Sequence, residues 1–169
     1  MILFESMENL EIRHASESDR EAIWEIFHAI VARADTYVFD PSVPKEEALA
    51  YWMSPSNEKF VAILNDEVVG TYILRPNQPG LGSHVANAAF MVNPEVRRSG
   101  IGKAMGKHAL RTAREFGYRA MQFNFVVSTN EHAIALWKKL GFEIVGILPG
   151  AFRHVDLGYV DALVMYQVL

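Results

Sequence analysis

Residues 10–15 (Leu-Glu-Ile-Arg-His-Ala) alternate apolar and polar side chains, the period-two pattern of a half-buried strand. Ser18 stands three residues before Glu21, a capping-box spacing that predicts a helix start. Ile23, Ile26, Phe27, Ile30 and Val31 then recur as one apolar stripe at helical spacing. A second helix is expected over Pro44–Trp52, with proline in the first turn, where its missing N–H is not needed. Residues 59–64 and 67–75 read as two strands joined by the Asn65-Asp66 turn, an antiparallel hairpin.

The breaker-rich stretch from Pro76 to Gly82 predicts a loop, followed by a strand over 84–92. After Asn93-Pro94 and a glycine-containing loop, a helix is expected with Ile101, Met105, His108, Ala109, Thr112 and Phe116 on one face. Gly117 ends it, because glycine accepts the left-handed conformation that follows a helix. Residues 120–127 form the next strand, and Thr129 or Asn130 caps a helix that runs to Leu140 and stops at Gly141. Two final strands fit 142–148 and 162–168. The stretch 84–127 is a strand–helix–strand unit with an expected right-handed crossover, inside a mixed, largely antiparallel sheet.

Composition narrows the function. The chain has 169 residues, a formal net charge of −4 and no cysteine, which excludes disulfides and thiolate chemistry. Its six histidines are scattered with no pair at ligand spacing, so no metal site is expected. No basic stripe supports nucleic-acid binding, and no apolar run reaches the roughly 20 residues of a membrane span. Met1–Ser6 carries no signal-peptide pattern, so a cytoplasmic protein of one domain, 1–169, is expected.

The chemistry concentrates at Arg97-Arg98-Ser99-Gly100-Ile101-Gly102, where a strand ends and a helix begins. Unpaired amides at a helix N-terminus attract an anion, and glycines at 100 and 102 let a phosphate approach them. Arg97, Arg98 and Lys103 add positive charge. A Walker A loop fails because Ala104 follows Lys103, and the dinucleotide fingerprint fails because Met105 stands where its third glycine belongs. The remaining pattern, Arg-x-x-Gly-x-Gly, resembles the pyrophosphate loop of the GNAT superfamily of acyl-CoA N-acyltransferases. The stretch Asn130-x-x-Ala133-x-x-Leu136-Trp137-x-x-Leu140-Gly141-Phe142 resembles that superfamily's C-terminal signature.

A closer likeness is visible in Thr71-Tyr-Ile-Leu-Arg-Pro-Asn77, His84-Val-Ala-Asn-Ala-Ala-Phe-Met-Val92, Phe123-Asn-Phe-Val-Val-Ser-Thr-Asn130 and Val160-Asp-Ala162. These segments are similar to the fungal azetidine-2-carboxylate (proline-analogue) N-acetyltransferases.

The resemblance implies an α/β (α+β) fold: a mixed sheet of about seven strands, splayed at its centre and flanked by about four helices. It implies acetyl-CoA as cosubstrate, with no metal. The cosubstrate would run along Phe90, Met91 and Val92 and be held by Arg97, Arg98, Ser99, Gly100, Ile101, Gly102 and Lys103. Asn130 and Trp137 would lie beside it. The resemblance further implies a small-molecule amine as acceptor, an amino acid or a toxic analogue, bound by Asn87 and Asn124 and attacking in a ternary complex. A homodimer is also implied. Asparagine inside apolar strands gives Asn87 and Asn124 weight of their own, since a buried amide needs partners.

The Phe90 main-chain N–H is the candidate to stabilise the developing oxyanion, and Asn124 to hold a proton-carrying water. Tyr37, Phe39, Trp52 and Tyr72 are candidate pocket aromatics. Trp137 stands where many superfamily members place an acidic tyrosine, and its indole is too weak an acid for that task. His84, Asp156 and Asp161 stay open between catalytic and ordinary roles. Acetylation of a protein N-terminus or lysine, and non-catalytic acyl-CoA binding, are the alternative functions.

Overall fold

The computed structural model describes residues 9–96 and 100–169. Among the described residues, seven strands form one sheet in the order β1-β2-β3-β4-β5-β7-β6: β1 Glu11–His14, β2 Glu58–Leu64, β3 Glu67–Pro76, β4 Val85–Val92, β5 Ala120–Val127, β6 Glu143–His154 and β7 Gly158–Val168. Four α-helices flank it: α1 Arg20–Val31, α2 Lys45–Trp52, α3 Ile101–Glu115 and α4 Glu131–Lys139. Every neighbouring pair is antiparallel except β4–β5, which the α3 crossover makes parallel.

Strand alternation sends side chains to two separate cores. Phe60, Tyr72, Leu74, Ala86, Ala88, Met121 and Phe123 face Ile101, Met105 and Ala109 of α3 and Trp137 of α4. Val61, Ile73 and Met91 face the stripe Ile23, Ile26, Phe27 and Ile30 of α1, with Leu49 and Trp52 of α2. Burial of each such large side chain contributes about 1.5–3 kcal/mol.

Local chemistry shifted some boundaries. The capping residues before α1 are Ser16 and Asp19, not Ser18 and Glu21. The Ser16 amide donates to Asp19 Oδ2 at 2.7 Å, and Arg13 clamps the same carboxylate at 2.8 and 3.0 Å. On α3, Phe116 lies past the helix end and is half exposed, outside the buried face. Asn65 and Asp66 both take φ above zero in the β2–β3 turn, Gly117 and Gly141 end α3 and α4 with φ of 82° and 101°, and Asn130 caps α4 by accepting from the Ala133 amide at 3.3 Å. The last hairpin is longer than its sequence suggests. The register shift between Leu148 and Phe152 absorbs the Pro149-Gly150 interruption, so β6 continues to His154.

Candidate active site

The parallel pair β4–β5 is short. It pairs at Val85–Ala120 and Ala86–Met121, and no main-chain rung follows. At the next position the Asn87 side chain takes over, its Nδ2 donating to the Gln122 carbonyl at 3.0 Å. Beyond this clamp the sheet is open at its centre.

Alternation decides which main-chain groups face the opening. The His84 carbonyl accepts from Arg119 on the β5 side, whereas the Val85 carbonyl and the Asn93 amide bond to the β3 side. Main-chain groups of Ala88, Phe90 and Val92 therefore point into the gap, and those of Met91 are turned to β3. The Met91 side chain is buried in the α1 core. In the gap the Phe90 carbonyl accepts a hydrogen bond from the Tyr37 hydroxyl. Burial pushes the Tyr37 pKa well above its ordinary value, so this group stays a protonated donor.

On the α1–α2 face, a cleft of about 380 Å³ opens beside the clamp. It is lined by Arg75, Asn77, Asn87 and Asn124, with Ser56, Gln78 and the rigid Pro76 and Pro79. Asn87 and Asn124, two residues singled out from the sequence, thus share one site. Gln122 Nε2 donates to Asn124 Oδ1 at 2.8 Å, and Asn124 Nδ2 donates to Asn77 Oδ1 at 2.7 Å. This chain of carboxamides spans from β5 to the loop after β3. Asn124 falls within the register shift between Phe123 and Val126, and so escapes the usual cost of asparagine in a strand. Among the described residues no carboxylate lines the cleft.

On the opposite face, α3 begins at Gly100 with φ of 87°, a left-handed entry that favours glycine. This glycine supplies no side-chain acceptor for the first amides of a 15-residue helix, and Lys103 is exposed in the first turn. Ile101 is buried in the core, so it supplies main chain only. A Cβ on Gly102 would make ordinary contacts with Leu136 and Val92, at 3.5 and 3.8 Å. The close approach in this helix is at Gly106 instead, where a Cβ would lie 2.5 Å from Leu140 and 3.2 Å from Trp137. Arg97, Arg98 and Ser99 lie outside the described residues. The parts that are described fit an acyl-CoA: a glycine-initiated helix N-terminus for its diphosphate, and strand groups that face the gap, not the β3 ladder, for its arm.

Other sequence candidates sit elsewhere. Tyr72 is fully buried on the α3 side, stacked between Phe60 and Phe90, and its hydroxyl meets His108 Nδ1 at 2.7 Å. Burial lowers the His108 pKa, leaving a neutral imidazole that can accept from that hydroxyl. Tyr72 is therefore not on the cleft. Phe39 is one layer behind it, packed edge-on against Tyr51 with ring centroids 5.0 Å apart. Trp52 is core, its indole donating to Thr71 Oγ1 at 2.9 Å. Trp137 packs on Phe90 and Phe123, with ring centroids at 4.9 and 4.7 Å, and walls the opening from the α4 side. Asn130 Oδ1 is engaged in capping α4.

His84 is exposed at the closed end of the β4–β5 pair. Asp161 accepts from the Gly150 amide within the β6–β7 hairpin, and Asp156 lies in its turn. Arg75, Asn77, Gln122 and Tyr51 were missed as site residues. The available signal was a cation closing the apolar run of β3; its pairing across the ladder with Asn87 appears only in the fold.

A mixed sheet that parts at its one parallel pair, with a glycine-initiated helix on one face and a polar cleft on the other, defines an acyl-CoA N-acyltransferase architecture. The profile of the acetyltransferase (GNAT) family matches residues 20–142, and the chain belongs to that family. Its members are N-acetyltransferases with acetyl-CoA as cosubstrate.

N-acetyltransferase aca1 of Schizosaccharomyces pombe is 39% identical over 101 residues, 59% of this chain, and that match spans only 48% of aca1. L-amino acid N-acetyltransferase AaaT of Escherichia coli is 30% identical over 170 residues, 96% of this chain and 99% of AaaT. A GCN5-related N-acetyltransferase from Kribbella flavida superposes with a TM-score of 0.93 at 42% identity, over 97% of this chain and 100% of that one. Among the described residues no helix is long and apolar enough to cross a membrane, and no cluster of three or more metal-ligating side chains occurs.

Proposed function

We propose that this chain, residues 1–169 acting as one domain, transfers an acetyl group from acetyl-CoA to the amine of a small molecule, an amino acid or an analogue of one. The observation that carries the reading is the opening of the sheet after Ala86–Met121, with a carboxamide-lined cleft on one face and the start of α3 on the other. The likeness to AaaT along nearly its full length supports the amino-acid class.

When bound, acetyl-CoA supplies an acetyl carbonyl activated as a thioester. The α3 amides, with Gly100, Gly102, Lys103 and the arginines at 97 and 98, would hold its diphosphate. Val92 and Phe90 would meet its arm through main-chain groups, beside Asn130 and Trp137. From the other face, Asn87 and Asn124 would present the amine to the gap, so that attack occurs directly with both reactants bound. The Phe90 N–H would stabilise negative charge developing on the carbonyl oxygen. With no carboxylate among the described residues that line the cleft, the ammonium proton would leave through water ordered by the Asn124–Asn77 pair. The thiolate needs no dedicated acid, its own pKa being about 8.5.

A homodimer in the cytoplasm completes the reading. The edge hairpin β6–β7 exposes Val145, Ile147, Leu157 and Tyr159, an apolar surface suited to a second copy.

Thiol release from acetyl-CoA with a panel of free amino acids, basic peptides and simple amines tests the proposal. Turnover with free amino acids is expected, and Asn124→Ala should raise the amine KM or lower kcat while coenzyme A still binds. Preference for peptides would favour the protein-acetylating alternative, and tight coenzyme A binding without turnover would favour a non-catalytic module.

A further inference from the structure

Among the described residues, the cleft has one charged side chain in its lining, Arg75. Its Nη2 donates to the Tyr51 hydroxyl at 2.8 Å, and its Cζ lies 5.1 Å from the centroid of the Tyr51 ring. Tyr51 is braced in turn by Phe39. The guanidinium is thus oriented by a neutral partner, and among the described residues no carboxylate pairs with it. A half-buried guanidinium carries five donors in a planar fork that matches a carboxylate. With no described carboxylate paired to it, its remaining donors can receive an anion.

The second half of the argument is the amide opposite. Arg75 and Asn87 are directly paired across β3 and β4, on the same face. The Gln122 carbonyl can only accept, so Asn87 must present its Nδ2 there. That fixes Asn87 Oδ1 as an acceptor, and it has no hydrogen-bond partner among the described residues. Asn87 lies at the mouth of the gap, and Arg75 one strand farther from it. A cation and a free amide oxygen side by side call for a ligand with an anion and an N–H donor on adjacent atoms, the donor nearer the gap.

We propose that Arg75, oriented by Tyr51, is the specificity-determining anchor for the acceptor's carboxylate, so that the protein selects small amines bearing a carboxylate beside the amine. This rests on the cleft being the acceptor site of the proposed acetyltransferase. Arg75 binds the carboxylate, Asn87 Oδ1 accepts from the amine, and the pair aims the nitrogen at the gap. Tyr51 is a positioning residue.

The test compares kcat/KM for an α-amino acid with that for its amide, in which the carboxylate is neutralised and the amine kept. The native protein should favour the acid by about tenfold to a hundredfold, the range expected of a charge-assisted pair. Arg75→Gln should bring the ratio near one, Arg75→Lys should restore part of it, and Tyr51→Phe should lower it severalfold. Thermal melting of each variant checks the fold, and the native comparison stands even if a variant fails to fold. Equal use of acid and amide by the native protein, an unchanged ratio in Arg75→Gln, or a preference for lysine-bearing peptides would overturn the anchor while leaving acetyl transfer intact. No turnover with any amine would overturn the acetyltransferase reading and the anchor with it.

Discussion

Asn87 donates its side-chain amide to the main-chain carbonyl of Gln122 at 3.0 Å, one residue past the last β4–β5 pair, Ala86–Met121. A carboxamide thus closes the ladder where two backbones have begun to part. The same group that sets the near edge of the gap also keeps its oxygen turned to the cleft. Sheet geometry and the lining of the cleft are coupled through one side chain.

Asn87→Ala removes that donor and leaves the Gln122 carbonyl without it. Stability should fall by about 1–3 kcal/mol, and the acceptor KM should rise in parallel. Denaturant unfolding alongside steady-state kinetics reads both effects. A variant of native stability would show that the clamp is dispensable.

Gly102→Asp separates fold from cosubstrate binding. A side chain there meets Leu136 and Val92 only at ordinary contact distances. A carboxylate in the first turn also favours the helix dipole by about 0.3–1 kcal/mol, so the melting temperature should hold or rise. The same charge opposes a diphosphate at those amides, and coenzyme A affinity should fall at least tenfold by calorimetry, on the order of 1.4 kcal/mol. Gly102→Ala should bind nearly as well as the native protein. Undiminished affinity in the aspartate variant would remove the diphosphate from this helix.

Gly106→Val tests the contact between α3 and α4. The new Cβ would lie 2.5 Å from Leu140 Cδ1 and 3.2 Å from Trp137 Cζ3. The leucine tip can rotate, but the indole is held by Phe90, Phe123 and Phe142. Overpacking of this kind costs about 1–3 kcal/mol, which should appear as a lower melting temperature. A shifted Trp137 also disturbs the wall under Phe90, so kcat should fall as well.

The Arg13–Asp19 pair gives acid sensitivity of a defined sign. The Arg13 guanidinium, with further help from Ser16, holds the buried Asp19 carboxyl at about 2. Its pKa is thus depressed on folding, from an unfolded value near 3.9. The resulting stabilisation is fully present above about pH 4 and is lost as the pH falls through about 2. Asp19→Asn should cost about 1–2 kcal/mol at neutral pH and flatten the stability profile between those two limits. An unaltered acid profile in the variant would contradict the assignment.

Legibility differed by the range of the interaction involved. The helices and the β2–β3 hairpin could be read from stripes, the Asn65-Asp66 turn and stop glycines, because those signals act within a few residues. The cap before α1 was misplaced because Ser16 and Ser18 both offer hydroxyls, and a partner on the preceding strand, Arg13, supports the Ser16–Asp19 choice. Tyr72 and Phe39 looked equivalent as pocket aromatics, yet parity sends Tyr72 toward α3 and packing places Phe39 behind Tyr51. Arg75 was hidden inside a strand, since its neighbours there gave no hint of Asn87 across the ladder or of Tyr51 on another element.

By itself the chain's order of residues determined its elements, the strand–helix–strand unit and the glycine that opens α3, all written in local periodicity and backbone preference. Tertiary structure alone decided that β4 and β5 part after two rungs, that polar side chains from β3, the loop after it, β4 and β5 line one cleft, and that Arg75 stands there with no carboxylate paired to it among the described residues. The reason is physical: hydrogen-bond partners and charge balance depend on which distant segments are brought together, and no window along the chain contains them.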